Sequence, residues 1–342
     1  MTSIVVTGAT GFVGGHIVKG FEGRSPVAIG RNRNALQRLE REVPGVSCEQ
    51  LDLAAVNAAE RLIEHRPELI IHAAARSSPW GTRAEFERAN VDTTKAVVAA
   101  AVACEIPVIY LSTPSVYMDR TNRTMVCEDD QLPSKFVNDY TATKHEGEQV
   151  LRQFCETGLP AITLRPQAIV GAGDTTLAPR FLRVIDKGFL PLFDDGVATL
   201  DMTSVENVVD AVLLSADALL AGRVGGLQTF NVTNGDPRSV RDLLGMILEV
   251  RENLVPNSQQ PRELAIPASY ARRVAGALEG LSRVTGRWEP PLTTHSVDSL
   301  AFDRTLSIAA IRETLGYHPE THRLEDSIVS YFQHQMGAEC HS

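Results

Sequence analysis

Apolar and polar positions along the chain follow two alternating rhythms. Short runs rich in β-branched residues, at 4–7, 27–29, 69–72, 108–112 and 162–165, each stand beside a stretch rich in Ala, Leu and Glu. Alternation of this kind predicts repeated βαβ units. The run Leu69-Ile70-Ile71 is apolar at consecutive positions instead of every second one, the mark of a strand covered on both faces in a parallel sheet. The expected fold class is therefore α/β, with a doubly wound parallel sheet.

After Pro166 the rhythm loosens. Glycine-rich segments at 171–174 and 188–196 and the turn at 234–237 punctuate shorter elements, and 255–267 reads as a connection containing Pro and Gln. Residues 205–214 and 229–232 read as a helix and a strand that return to the first sheet. The expected plan is a first domain over 1–166, completed by about 200–233, with a smaller interleaved α/β lobe over 167–199 and 234–335.

Composition narrows the function classes. Forty-two acidic against 33 basic side chains give a net charge of -9, which disfavours a nucleic-acid partner. The arginines at 31, 33, 38 and 41 are interrupted by Glu40 and Glu42 and read mostly as a solvated helix face. The helix-like stretch 268–284 carries Arg272, Arg273, Glu279 and Arg283, so no transmembrane segment is expected there. Five scattered cysteines, Cys48, Cys104, Cys127, Cys155 and Cys340, form no C-x-x-C pair, and no charged segment precedes an apolar run at the start. These features point to a cytoplasmic protein without a metal.

Candidate chemistry begins directly after the first strand, at Thr7-Gly8-Ala9-Thr10-Gly11-Phe12-Val13-Gly14-Gly15. Glycines at 8, 11 and 14 let a tight strand-to-helix turn form and let backbone N–H groups reach a pyrophosphate. The run resembles the Thr-Gly-x-x-Gly-Phe-x-Gly loop of extended short-chain dehydrogenases/reductases, and the resemblance implies a Rossmann sheet binding NAD(H) or NADP(H) through Gly8, Thr10, Gly11, Phe12, Val13 and Gly14. At the end of the second strand, Gly30-Arg31-Asn32-Arg33 offers no carboxylate for a ribose diol. Gly30 leaves room, and Arg31, with Asn32 and Arg33 beside it, suits a 2′-phosphate, so NADP(H) is preferred over NAD(H). Asp52 and Leu53 resemble the family's adenine contact, Ala73, Ala74 and Ala75 the small-residue stretch along the cofactor, and Pro166 a further cofactor neighbour. His72 reads as a strand-end histidine outside the chemistry.

Tyr140-Thr141-Ala142-Thr143-Lys144 is a Y-x-x-x-K, which on a helix places phenol and ammonium one turn apart. A neighbouring lysine and an oxidised nicotinamide lower a phenol's pKa, so Tyr140 could pass a proton to or from a substrate oxygen while the nicotinamide exchanges hydride with the adjacent carbon. Leu111-Ser112-Thr113-Pro114-Ser115-Val116-Tyr117 resembles the strand carrying the family's third catalytic hydroxyl, assigned to Thr113 with Ser115 and Ser112 as substitutes. Asn90 resembles a helix asparagine that supports this site. The resemblance runs from Thr7 to Leu315-Gly316-Tyr317-His318-Pro319.

Within that superfamily, dehydratases carry Thr-Asp-Glu where this chain has Thr113-Pro114-Ser115, and epimerases carry Asn where this chain has Ala168. The Arg165-Pro166 pair, the loop Ser77-Ser78-Pro79-Trp80-Gly81 and the tail from Asp303 look more like 3β-hydroxysteroid dehydrogenase-like enzymes and bacterial 3-ketoacid reductases. That likeness implies an oxidoreductase interconverting a ketone and a secondary alcohol on a small or hydrophobic substrate, with Trp80, Phe181, Phe189 and Phe193 walling an apolar pocket. The alternatives are a nucleotide-sugar 4-epimerase and a non-catalytic dinucleotide-sensing regulator. Relatives of this type often dimerise through two helices, and the alanines of 96–103 suit such a homodimer.

Overall fold

Each of the central strands sends successive apolar side chains into two different cores. Ile4 and Val6 join one core while Val5 joins the other; Leu69 and Ile71 oppose Ile70, and Ile109 and Leu111 oppose Val108 and Tyr110. Side chains alternate across a strand, so a consecutive apolar run must be covered on both faces. The computed structural model describes residues 3–78, 80–255, 260–286 and 288–339.

The strands of the first half are β1 (Ser3–Thr7), β2 (Val27–Gly30), β3 (Ser47–Gln50), β4 (Pro67–His72), β5 (Val108–Leu111), β6 (Arg123–Val126) and β7 (Ala161–Pro166). Interleaved with them are α1 (Phe12–Gly20), α2 (Arg33–Glu42), α3 (Ala58–Glu64), α4 (Arg83–Phe86), α5 (Thr93–Cys104) and α6 (Asp139–Cys155). The second half adds β8 (Ile169–Val170), β9 (Phe189–Phe193), β10 (Thr199–Leu200), β11 (Thr203–Ser204), β12 (Leu227–Val232), β13 (Arg238–Ser239), β14 (Arg262–Ile266) and β15 (Arg304–Leu306). Its helices are α7 (Ala178–Ile185), α8 (Val205–Leu220), α9 (Val240–Leu254), α10 (Ala268–Thr285), α11 (Thr294–Ala301), α12 (Ala309–Leu315) and α13 (Leu324–Glu339).

Seven strands form one sheet in the order β12-β7-β5-β4-β1-β2-β3, and every pair in it is parallel. The α/β doubly wound sheet expected from the pattern is thus present. Chain direction across the sheet reverses between β1 and β4, and a crevice opens at the carboxyl ends of strands at such a switch point. The strand expected at 229–232 is β12, which pairs with β7, and the helix expected at 205–214 extends to Leu220.

Two parts of the pattern need correction. β3 carries no β-branched run, and its exposed and half-buried side chains lie at the sheet edge; pairing with β2 makes it a strand. The stretch read as a plain connection over 255–267 contains β14, which pairs in parallel with β9; residues 256–259 of it lie outside those described. A further core gathers Ile185, Leu190, Leu243, Ile247, Ile328 and Tyr331 around α7, α9 and α13.

Among the described residues no helix is long and apolar enough to cross a membrane. No group of three or more His, Cys, Asp or Glu among them could hold a metal ion. Cys48, Cys104, Cys127 and Cys155 are free thiols, and Cys340 lies outside the described residues.

Candidate active site

The turn after β1 is compressed to the limit that backbone allows. Gly8 has φ +71°, and a Cβ there would lie 2.6 Å from the amide nitrogen of Ala74; one on Gly14 would lie 2.2 Å from the carbonyl oxygen of Gly8. Gly11 donates its N–H to the Gly8 carbonyl at 2.9 Å and begins α1, whose first turn has neither a side-chain cap nor an acidic residue. The open N–H groups and the helix dipole therefore point at the crevice, an arrangement that favours an anion. A cavity of about 1410 Å³ starts there and runs past Tyr140 to α7 and α11. The cradle fits a dinucleotide pyrophosphate.

Most of the residues expected to bind that cofactor share this cavity. Gly8, Thr10, Gly11, Phe12, Val13, Gly14, Arg31, Asp52, Leu53, Ala73, Ala74, Ala75 and Pro166 all line it. Asn32 and Arg33 do not: Asn32 caps α2 by accepting the Ala35 N–H at 3.2 Å, and Arg33 opens that helix. Gly30 packs on Thr10, where a Cβ would meet the Thr10 methyl at 2.4 Å. Asp52 accepts the Ala54 N–H at 3.1 Å and pairs with Arg88 at 2.8 Å. The Ala54 bond, opposed by burial and aided by Arg88 and Arg31, holds its carboxyl below the ordinary value.

At the carboxyl end of β5 the hydroxyl residues separate by role. Ser112 donates to Glu148 at 2.5 Å. Thr113 caps the short turn Pro114–Tyr117, accepts the Ser115 N–H at 3.2 Å and is the hydroxyl in contact with the Tyr140 phenol. Tyr140 and Lys144 lie one turn apart on α6, whose start is capped by Asn138 through the Thr141 N–H at 2.8 Å. Lys144 is buried, donates to the Leu111 carbonyl at 2.6 Å and stands 4.1 Å over the Tyr110 ring. Burial pulls its pKa down to about 7, against the pull of Glu148.

Lys144 by itself does not lower the Tyr140 pKa in this arrangement. The ammonium is turned to Leu111 and Tyr110, and burial raises the phenol above its ordinary value with only the Thr113 contact opposing. Tyr140 thus keeps its proton at neutral pH.

Asn90 lies beneath the site without lining the cavity. It is buried in a single π-turn, Glu87–Asp92, where its Oδ1 accepts the Arg76 N–H at 2.8 Å and its Nδ2 donates to Thr143 at 3.0 Å. It therefore ties the loop after β4 to α6. His72 has both ring nitrogens engaged, by Thr7 at 2.8 Å and Thr94 at 3.1 Å. Burial, and then the Lys144 charge, bring its pKa down to about 3.

Sequence reasoning missed a buried ion pair behind the lysine. Arg165 grips Glu148 with two bonds, at 2.9 and 2.6 Å, and also reaches the Tyr117 hydroxyl, which donates to Asn231 at 3.2 Å. Burial pushes the Glu148 carboxyl up, but the bonds from Arg165, His145 and Ser112 prevail and hold it at about 2. Glu148 lies four residues after Lys144 on the same helix face, and that spacing was the available signal.

Beyond Tyr140 the cavity is lined by Phe181 and Phe193, joined by Leu177, Leu190, Leu244 and Leu292. Two expected wall residues are elsewhere. Trp80 lies under the Arg283 guanidinium at 5.4 Å, and Phe189 is 48% exposed outside the cavity. Pro79 of the same loop lies outside the described residues.

Comparison with known proteins shows the family and the fold. The model of the NAD dependent epimerase/dehydratase family matches residues 4–233. The chain is 30% identical, over 93% of its length and 94% of the relative's, to a 2-alkyl-3-oxoalkanoate reductase of Stenotrophomonas maltophilia (strain K279a). It is 30% identical, over 74% of its length and 58% of the relative's, to 3beta-hydroxysteroid-dehydrogenase/decarboxylase isoform 1 of Arabidopsis thaliana. Among solved structures, a UDP-glucose-4-epimerase from Stenotrophomonas maltophila with bound NAD superposes with a TM-score of 0.76 at 19% identity, covering 100% of both chains.

Proposed function

The chain belongs to the NAD dependent epimerase/dehydratase family, and we propose that it is an NADP(H)-dependent ketoreductase acting on a ketone attached to an apolar body. The observation that carries this reading is the placement of a protonated Tyr140, in contact with the Thr113 hydroxyl, between the glycine cradle and an apolar cavity. Relatives named as a 2-alkyl-3-oxoalkanoate reductase and a 3beta-hydroxysteroid-dehydrogenase/decarboxylase support the same branch.

The dinucleotide, held by the Gly8–Gly14 turn, the α1 N-terminus, Asp52, Leu53, Ala73 to Ala75 and Pro166, supplies or takes the hydride when bound. Thr113 donates a hydrogen bond to the substrate oxygen and fixes its position beside Tyr140. The Tyr140 phenol, whose proton is retained at neutral pH, gives that proton to the oxygen as negative charge develops there. Lys144, one turn from Tyr140 on the same helix and lining the same cavity, orients the ribose side of the cofactor. Arg31, which lines the cavity without an ion pair to any described residue, binds the 2′-phosphate and sets the preference for NADP(H). Asn90 acts through Arg76 and Thr143 as a positioning residue.

Segments 167–199 and 234–335 form the substrate lobe in this reading. A homodimer through α5 and α6 accompanies it, with Ala99, Val102 and Ala103 on the exposed side of α5. The test is calorimetric titration with NADPH and NADH, then absorbance at the nicotinamide band with aliphatic and steroid ketones and a UDP-sugar. NADPH oxidation driven by ketone supports the reading. Isomerisation of the UDP-sugar with NADH preference overturns both branch and cofactor.

A further inference from the structure

We infer that the outward face of α10 is a docking surface for an anionic phospholipid bilayer, on which the helix lies flat without crossing. The inference goes beyond the ketoreductase reading and does not depend on it.

α10 uses one side to close a small core and leaves a second apolar side open. Ala268, Ala271 and Ala275 pack with Phe193 and Val297. Tyr270, Val274, Ala277, Leu281 and Val284 follow one another at intervals of four, three, four and three residues. That spacing places them on one stripe of the helix, and all five are exposed. Tyr270 is 63%, Leu281 54% and Val284 87% open, so the stripe has no cover from its own chain. The strand that leads into the helix adds exposed Leu264, and the segment that leaves it adds exposed Trp288. Single apolar residues scattered over a surface are ordinary, whereas a stripe running the length of a helix marks a contact.

Length and charge decide the kind of contact. The 18 residues of α10 span about 27 Å, but Arg272, Arg273, Glu279 and Arg283 keep them out of the hydrocarbon. A helix with one apolar face and arginines beside it lies instead in the plane of the interface. Arg262 on β14 and Arg273 and Arg283 on α10 are exposed, and Arg283 lies over the Trp80 ring. The acids near them are already engaged. Glu263 pairs with Arg241 at 2.7 Å, Glu279 accepts the Thr294 N–H at 2.7 Å, and Asp298 holds Arg120 and Arg272. The face is therefore positive on a chain of net charge -9, and an anionic surface repels the chain except where it is locally basic.

A second copy of the chain fits the stripe less well. Two such stripes set face to face bring Arg273 and Arg283 towards like charges, and Glu279, the single acid of the helix, is turned to Thr294. Anionic headgroups supply the missing sign, and the acyl region beneath them receives Leu281 and Val284. Glu289 to Leu292, which line the cavity, follow α10 within a few residues, so the docked face adjoins the cavity wall.

The test is co-sedimentation of the full chain with extruded vesicles, one set of phosphatidylglycerol and phosphatidylcholine in equal parts and one of phosphatidylcholine alone. Leu281→Ser and Arg273→Gln variants are compared with the parent, and circular dichroism checks that these changes at exposed positions leave the fold intact. Three arginines near an anionic surface contribute about fivefold each, so the mixed vesicles are expected to bind on the order of 100-fold more tightly than the neutral ones. Arg273→Gln is expected to lose roughly fivefold of that preference. Leu281→Ser is expected to lose roughly tenfold in affinity for the mixed vesicles, and dinucleotide affinity should be unchanged in both variants. No sedimentation with the mixed vesicles, or an affinity that neither variant alters, overturns the proposal. Sedimentation velocity on the same samples separates the other occupant: a parent dimer that Leu281→Ser dissociates, with no vesicle binding, assigns the stripe to a second copy and overturns the bilayer.

Discussion

Lys144 and Tyr110 meet face to face behind the proposed reaction centre, with the ammonium 4.1 Å from the middle of the phenol ring. A charge held there is stabilised by the ring and by the Leu111 carbonyl, yet burial still draws its pKa from 10.5 to about 7. Between those two values the unfolded chain binds more protons at this site than the folded one, so the penalty is greatest below pH 7 and fades as pH rises towards 10.5. A Lys144→Met variant should therefore gain thermal stability over the parent, more at pH 6 than at pH 9, while losing turnover. Scanning calorimetry at the two pH values, with an assay beside it, checks both halves.

Tyr140→Phe keeps the ring in place and removes the proton that the reaction uses. Turnover should fall roughly 100- to 10,000-fold, with NADPH affinity unchanged. Full turnover in this variant would dismiss the assigned proton donor.

In the proposed reading Arg31 sets the cofactor preference. Its replacement by Ala removes charge-assisted bonds to a 2′-phosphate, each worth about 1.5–3 kcal/mol, so the preference for NADPH over NADH should fall by roughly tenfold or more. NADH binding, measured in the same titration, should hardly change.

Glu148 and Arg165 form a pair whose loss shows as instability. Its carboxyl is held at about 2 in the fold against an ordinary 4.5, so its contribution is complete above pH 4.5 and is lost as pH falls towards 2. Arg165→Met leaves a buried carboxylate without its cation and should cost about 3–5 kcal/mol. Urea unfolding near pH 7 gives that number, and an acid titration of the variant should show a shallower loss of stability below pH 4.5.

Gly14→Ala places a methyl 2.2 Å from the Gly8 carbonyl oxygen. The turn must open, and overpacking of this kind costs about 1–3 kcal/mol. Dinucleotide binding, read by calorimetry, should be lost before the fold is.

The sequence disclosed what is local and periodic. Leu69-Ile70-Ile71 declared a doubly covered strand, Gly8 to Gly14 a tight strand-to-helix turn, and Tyr140 with Lys144 a shared helix face, because each depends on neighbours within a few residues. β3 and β14 escaped because their strand character comes from pairing partners, Val27 to Gly30 and Phe189 to Phe193, that lie far along the chain. The misplacement of Trp80 and Phe189 has the same origin: an aromatic residue's type does not say which cavity it faces.

The glycine turn and Arg31 divide the work of holding a dinucleotide in a way that matters to lineages as well as molecules. Gly8 and Gly14 are wedged against backbone atoms that cannot yield, so mutation there is punished at once and drift is closed to them. Arg31 is exposed beyond that packing, and a change there asks nothing of its neighbours. In the proposed reading, a change of cofactor preference at Arg31 therefore leaves the scaffold beneath it fixed.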